Sequence, residues 1–278
     1  MTVIEAIQAR KSCRTYSGTA VEPGKLSELR QFLSVNTRTP FGGRVRFELA
    51  DLNDTEAGEV KGLTTYGVIR GARQFIAGCV ERGPRAMEDY GYSMERNILQ
   101  ATSMGLGTCW LGGTFKRSGF ADRIRIGEDE VLPAVTPVGY PGDKRSVVDR
   151  LFRYTAASDK RKHWNELFYL VDTGHALEER QSGEYKIPLE CVRLAPSASN
   201  KQPWRIILAG DRHALHFYLK RTPGYGHMGK DIELQNVDMG IAMCHFELSA
   251  KELGLKGGWS AEDPCITPAG LEYVASWT

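Results

Sequence analysis

The sequence predicts an α+β protein built from two tandem halves, and three observations predict it. Helical and strand-like hydrophobic spacings alternate along the 278 residues. One series of landmarks recurs: GYSMERNILQATSMGLGTCW starts at Gly91 and GIAMCHFELSAKELGLKGGW at Gly240. Gly105 answers to Gly254 and Trp110 to Trp259, each pair 149 residues apart. A small, charged stretch, TAASDKRKHWN at 155–165, lies between the copies and suits a connector. Two copies are too few for a solenoid. They fit a duplicated domain whose halves, 1–158 and 159–278, pack as a pseudo-symmetric pair.

The elements follow in chain order. Val3, Ile4 and Ile7 suggest a short opening helix ended by the polar loop RKSCRTYSG. Leu26, Leu29, Phe32 and Leu33 repeat at helical intervals after Pro23, a helix-start residue. Arg44 to Leu49 alternates like a strand, and Gln74 to Val80 reads as a buried one. A long helix spans about Asp89 to Met104 and ends at Gly105 and Gly107. A strand is expected to begin at Cys109, and another to run from Val135 to Tyr140 into GYPGDKR.

Composition narrows the function. Hydrophobic residues make up 41% and charged residues 25%, ordinary for a globular protein, and the net charge of +2 argues against a polyanion partner. The start, MTVIEAIQARK, lacks the apolar stretch of a signal peptide, and the longest apolar run, around Leu167 to Val171, is too short to span a bilayer. Cysteines at 13, 79, 109, 191, 244 and 265 form no C-x-x-C pair, neither a disulfide framework nor a zinc ligand set. The expectation is a cytoplasmic protein without bound metal, nucleic acid or membrane.

Four motifs carry chemistry. In RKSCR, an extended backbone would put Arg10, Ser12 and Arg14 on one face with Lys11 beside them, a donor set suited to phosphate oxygens. A solvated basic loop is the plainer reading. GYPGDKR sets Lys144 and Arg145 just beyond a strand, a common surface arrangement that could complete the same anion pocket. CWLGG brings Leu111, Gly112 and Gly113, where a flat ligand could approach the backbone, or simply a buried strand and its turn. APSASNKQPW offers Pro196, Ser197, Ala198 and the amides of Asn200 and Gln202, which can donate and accept along a heteroaromatic edge, or cap an ordinary turn. Half one has only RTPFGGRVRF in the corresponding place, and half two has nothing like RKSCR.

Together the motifs resemble the FMN-dependent nitroreductase superfamily, which carries R-x-S-x-R early and P-S-x-x-N-x-Q-P-W elsewhere. Here these are Arg10, Ser12 and Arg14, and Pro196, Ser197, Asn200, Gln202, Pro203 and Trp204. G-L-G-T-C-W at 105–110 and a late G-Y-P with basic residues complete the likeness, which covers nearly the whole chain. It is most similar to the fused TM-type branch, with two family domains in one chain. The resemblance implies a nitroreductase-like fold, each half a mixed, mainly antiparallel sheet flanked by helices. It also implies FMN between the halves: Arg10, Lys11, Ser12, Arg14, Lys144 and Arg145 toward the phosphate, Pro196, Ser197, Ala198, Asn200 and Gln202 toward the ring, and Leu111 to Gly113 near flavin N5.

The implied activity is two-electron transfer from NADH or NADPH through N5 to a small aromatic or quinone-like acceptor, with no catalytic side chain and with Arg14 or Lys11 stabilising the reduced flavin. The reciprocal loss of motifs, read through the resemblance, implies one FMN per chain, and since the internal pair already satisfies the family's dimer, a monomer is expected. A flavin store or redox sensor, a dehalogenating or flavin-consuming enzyme, and a scaffold without flavin are the alternatives.

Overall fold

Thr2 opens the first helix, α1 (Val3–Ala9), with a capping box: its hydroxyl accepts from the Glu5 amide, and the Glu5 carboxylate accepts from the Thr2 amide. Pro23 starts α2 (Pro23–Val35), whose Leu26, Leu29 and Leu33 are buried as the spacing predicts. The fold is known from a computed structural model that describes residues 1–53, 68–142, 160–228, 231–265 and 268–278. The expected half boundary at 158/159 lies outside the described residues.

Half one contributes β1 (Val45–Asp51), β2 (Gln74–Glu81), the long α3 (Ala86–Ser103), β3 (Gly107–Thr108), α4 (Arg117–Arg123), β4 (Glu130–Val131) and β5 (Val135–Gly139). Its sheet runs β1-β2-β5-β3, antiparallel throughout, with β4 paired to β2. Half two contributes α5 (Trp164–Leu167), β6 (Phe168–Leu170), β7 (Asp172–Ala176), α6 (Lys186–Leu194), β8 (Trp204–Leu208), β9 (Leu215–Leu219), the long α7 (Leu234–Glu252), β10 (Trp259–Ser260) and β11 (Glu272–Trp277). Its sheet reads β10-β11-β9-β8-β6-β7. Strands β8, β9, β11 and β10 pair as β1, β2, β5 and β3 do, and a β6–β7 hairpin extends the edge through a parallel β6–β8 ladder. The duplication is thus present in strand order as well as in sequence.

Each repeated landmark has a physical reason. Gly91 and Gly240 are where α3 and α7 cross: a Cβ on Gly91 would lie 2.1 Å from the Val237 carbonyl oxygen, and one on Gly240 2.0 Å from that of Glu88. Residues 88 and 237 are themselves 149 apart, so the crossing obeys the pseudo-two-fold. Gly105 and Gly254 adopt φ of 77° and 79°, and the following leucine amides reach back to Ala101 and Ala250, closing the same left-handed cap on both helices. The Trp110 and Trp259 indoles each donate to a glutamate of their own long helix, Glu95 at 2.6 Å and Glu247 at 2.7 Å.

Nothing lies within 4 Å of a Cβ built on Gly105, so Gly105→Ala should cost only backbone strain, about 1 kcal/mol, read as a lower urea midpoint. An unchanged midpoint would contradict this cap.

Several expected boundaries move: α3 begins at Ala86 and not about Asp89, β1 runs Val45–Asp51 and not Arg44 to Leu49, and two further strands shift. The strand after α3 is Gly107–Thr108 and does not begin at Cys109, because the helix cap delivers the chain directly into the sheet opposite Gly139 and Val138. Cys109 then gives its amide to the Thr136 hydroxyl, and Leu111 keeps a single bridge to Val135. Strand β5 stops at Gly139 because the Tyr140 carbonyl turns to accept from Ser17.

Candidate functional site

After α1 the chain runs extended. Ser12 bridges Thr108 in parallel, the Cys13 amide donates to the Thr108 carbonyl at 2.7 Å, and Thr15 bridges Arg70. An extended backbone is the condition under which Arg10, Ser12 and Arg14 can share a face. All three, with Lys11, line one cavity of about 450 Å³, within the usual range of small-molecule sites. Arg10 is buried, its Nε 3.9 Å from Glu95 Oε1. The same glutamate oxygen contacts Nε2 of buried His245 at 2.9 Å, tying the arginine motif to the long helix of half two.

The opposite wall comes from half two. Pro196, Ser197, Ala198, Ser199 and Asn200 reach the cavity through a tight turn in which Ser199 and Asn200, and then Gln202, take positive φ of 45°, 54° and 49°. Left-handed backbone costs a non-glycine residue about 1–2 kcal/mol, so the turn needs fastening. The Ser197 hydroxyl accepts from the Gln202 amide at 2.8 Å, and Asp238 Oδ1 accepts from the Ala198 amide at 2.8 Å. Asn200 accepts from Arg161 at 3.1 Å and donates to the Lys160 carbonyl at 2.7 Å.

Gln202 differs from the expectation. It is buried off the cavity wall, its amide accepting from the Lys162 amide at 2.8 Å and donating to the Asn200 carbonyl at 3.1 Å. The two amides expected to face a ring edge hold residues 160–162 to the turn; Asn200 lines the cavity while doing so.

Leu111, Gly112 and Gly113 line the cavity as expected. Added Cβ atoms would lie 2.9 Å from the Leu234 methyl and 2.6 Å from the Met228 methyl, side-chain ends that can move aside, so the bare glycines leave room here without being demanded by the packing. Arg117 holds this segment, donating to the carbonyls of Gly112, Leu132 and Pro133 at 2.8, 2.8 and 3.1 Å. Lys144 and Arg145 lie outside the described residues. Of the expected site residues, eleven meet at this cavity: Arg10, Lys11, Ser12, Arg14, Leu111, Gly112, Gly113, Pro196, Ser197, Ala198 and Asn200.

The sequence reading missed Arg161 and Asp238, both on the wall, and Tyr225, whose hydroxyl donates to Ser199 at 2.7 Å. A signal for Asp238 was present: Asp-x-Gly occurs in both copies, at Asp89–Gly91 and Asp238–Gly240. Among the described residues the wall carries four cations, Arg10, Lys11, Arg14 and Arg161, and one acid, Asp238. That balance favours an anionic ligand.

Two other hollows among the described residues have their charges largely paired. One of about 470 Å³ is bordered by pairs that neutralise each other, Arg82 with Asp231 and Arg85 with Glu88. A wider one of about 1020 Å³ is bordered by Arg180 with Glu178, Lys186 with Glu179 and Arg193 with Glu190, and also by Arg161 and Lys162; it lies wholly on half two, away from the Arg10–Arg14 and Leu111–Gly113 segments.

Burial pushes the Asp238 carboxyl up to about 8, against one favourable amide contact from Ala198. An unfolded aspartate ionises near 3.8, so between these values the folded chain keeps a proton that the unfolded chain has lost. The stability contributed by Asp238 therefore falls as pH rises through that window. In ligand-free protein, Asp238→Asn should gain unfolding free energy relative to wild type as pH is raised from about 4 past 8; parallel pH profiles would contradict the shift.

Fold and site together define a two-halved α+β protein with a cationic small-molecule cavity walled by both halves. A family model described as "Putative TM nitroreductase" matches residues 2–250, and the chain belongs to that nitroreductase family. A "putative nitroreductase" from Thermotoga maritima shares the fold, with a TM-score of 0.62 at 18% identity over 100% of this chain and 93% of its own. A nitroreductase family protein from Clostridium difficile matches at 0.43 and 17% identity, over 54% of this chain and 90% of its own. A "putative nitroreductase" from Desulfovibrio desulfuricans, solved in complex with FMN, matches at 0.42 and 20%, over 53% and 94%. No curated protein matches the sequence. No helix among the described residues is long and apolar enough to cross a membrane.

Proposed function

We propose that the chain is an FMN-dependent NAD(P)H oxidoreductase with one FMN between its halves. The observation that carries this reading is a cavity taking Arg10, Lys11 and Arg14 from half one, and Arg161 with the strained turn from Pro196 to Asn200 from half two. Guanidinium forks and a hydroxyl suit a phosphate monoester. The apolar side chains of Leu111, Leu234, Val237 and Ile241 suit an aromatic ring system in the same cavity.

When bound, FMN supplies two-electron transfer between a nicotinamide donor and a small aromatic or quinone-like acceptor. The chain's own residues bind and orient. Arg10, Lys11, Ser12 and Arg14 neutralise the phosphate end, and the Ser197–Asn200 turn and the Gly112–Gly113 backbone bound the ring end. Arg117 fixes the Gly112 carbonyl so that this backbone keeps its place. Since the halves already form a pair, the working unit is a monomer.

The purified protein should be yellow, bleach on adding NADH or NADPH, and recover its colour with a quinone or nitroaromatic. A yellow protein that neither nucleotide bleaches would be a flavin carrier instead. Sedimentation should give a mass near the 30.9 kDa chain; twice that mass would contradict the monomer.

A further inference from the structure

The two long helices carry the same aspartate two residues before the crossing glycine: Asp89 before Gly91 and Asp238 before Gly240. In half one the carboxylate is fully used. Its Oδ1 accepts from the Phe41 amide at 2.9 Å and its Oδ2 from the Gly43 amide at 2.7 Å, and Gly43 passes so close that a Cβ there would lie 2.5 Å from Oδ2. That loop, Thr39 to Gly43, occupies in half one the place that the Pro196–Asn200 turn takes in half two.

In half two only one oxygen is used. Asp238 Oδ1 takes the Ala198 amide, while Oδ2 finds no hydrogen-bond partner among the described residues. The residue is 3% exposed and lines the cavity. The nearby Tyr225 hydroxyl is directed to Ser199. A buried polar atom left without a partner costs about 1–3 kcal/mol, and the half that closes on itself shows how readily a second backbone amide could have relieved it. The difference between the halves is that one carboxyl faces a cavity.

We propose that Asp238 is a ligand-contacting residue: its Oδ2, carried as a neutral acid, donates a hydrogen bond to an acceptor atom of the flavin bound in this cavity. The inference rests on the FMN reading above. A carboxylate would repel an anionic ligand, whereas a neutral acid donates. Burial raises both carboxyls, Asp238 with one amide donor to about 8 and Asp89 with two amide donors to about 6, so Asp238 is the one that favours the protonated form at neutral pH. Asp238 therefore has two tasks, fastening the turn through one oxygen and meeting the ligand through the other.

The test uses the full chain and FMN itself, comparing wild type with Asp238→Asn, Asp238→Ala and Asp89→Ala. Asparagine keeps the acceptor for Ala198 and a donor in place of the acid, so its FMN Kd should stay within about 3-fold of wild type, while alanine weakens binding about 10-fold or more. Asp89→Ala removes the matching cap from the Thr39–Gly43 loop, which does not line the cavity, and should leave FMN affinity within about 3-fold. The deciding readout is infrared. Wild type should show a protonated-carboxyl stretching band that shifts when FMN binds and is missing in Asp238→Asn.

A role confined to fastening the turn would leave that band unmoved by FMN. If wild type binds FMN with the band unmoved, the inference falls and the FMN reading stands. If wild type binds no FMN, both fall. Should Asp238→Ala fail to fold, the band and its loss in Asp238→Asn still decide.

Discussion

Arg14→Ala should weaken FMN binding about 10- to 100-fold, and Arg10→Ala with Arg14→Ala together by about 1000-fold or more. Hydrogen bonds to charged groups contribute about 1.5–3 kcal/mol each, and every 1.4 kcal/mol is tenfold in affinity. The single variant is the cleaner probe. Arg10 is buried 3.9 Å from Glu95, so its loss also unbalances the buried Glu95–His245 contact and lowers stability. Arg14 is only partly buried, beside the same cavity. Flavin fluorescence titration reads the effect; an unchanged Kd in both variants would remove the arginine motif from the site.

Gly240→Ala is the second large effect, and it works through the fold. The methyl would sit 2.0 Å from a backbone oxygen and 2.7 Å from the Tyr92 amide nitrogen, atoms that no rotamer change can move aside. The two long helices must separate, and overpacking of this kind costs about 3 kcal/mol or more. Gly91→Ala should behave alike, because its Cβ would meet the Val237 carbonyl across the same crossing. Both should lower the urea midpoint far more than Gly105→Ala does, and both should loosen FMN, since the cavity needs the halves in register. A midpoint equal to wild type in either variant would contradict the crossing.

Much of this architecture was legible in the sequence because it rests on local rules. Leu26, Leu29 and Leu33 repeat at helical spacing and are buried. The G-L step at 105 and 254 recurs because a left-handed helix cap demands it. The R-x-S-x-R and P-S-x-x-N motifs meet at one cavity although about 180 residues separate them, which the family resemblance implied and the reciprocal loss of motifs between the halves fits.

What was not legible depends on partners distant in sequence. The amides of Asn200 and Gln202 are typed for either ligand or chain, and only the approach of residues 160–162 decides for the chain. The strand after α3 begins earlier than Cys109 because its partner Gly139 meets Gly107. Asp238 carries no local mark that sets it apart from Asp89; the difference lies in the second oxygen, which a backbone amide fills in Asp89 and which has no hydrogen-bond partner among the described residues in Asp238.

The central claim is that duplication left one working flavin site and one closed half. Half one fills its Asp89 with two of its own backbone amides, and half two turns the equivalent Asp238 to the cavity. The direct measurement is the number of FMN molecules released per chain from FMN-saturated, desalted protein, read by absorbance against protein concentration. The account predicts a ratio near one. A ratio near two would mean that the second half binds flavin as well.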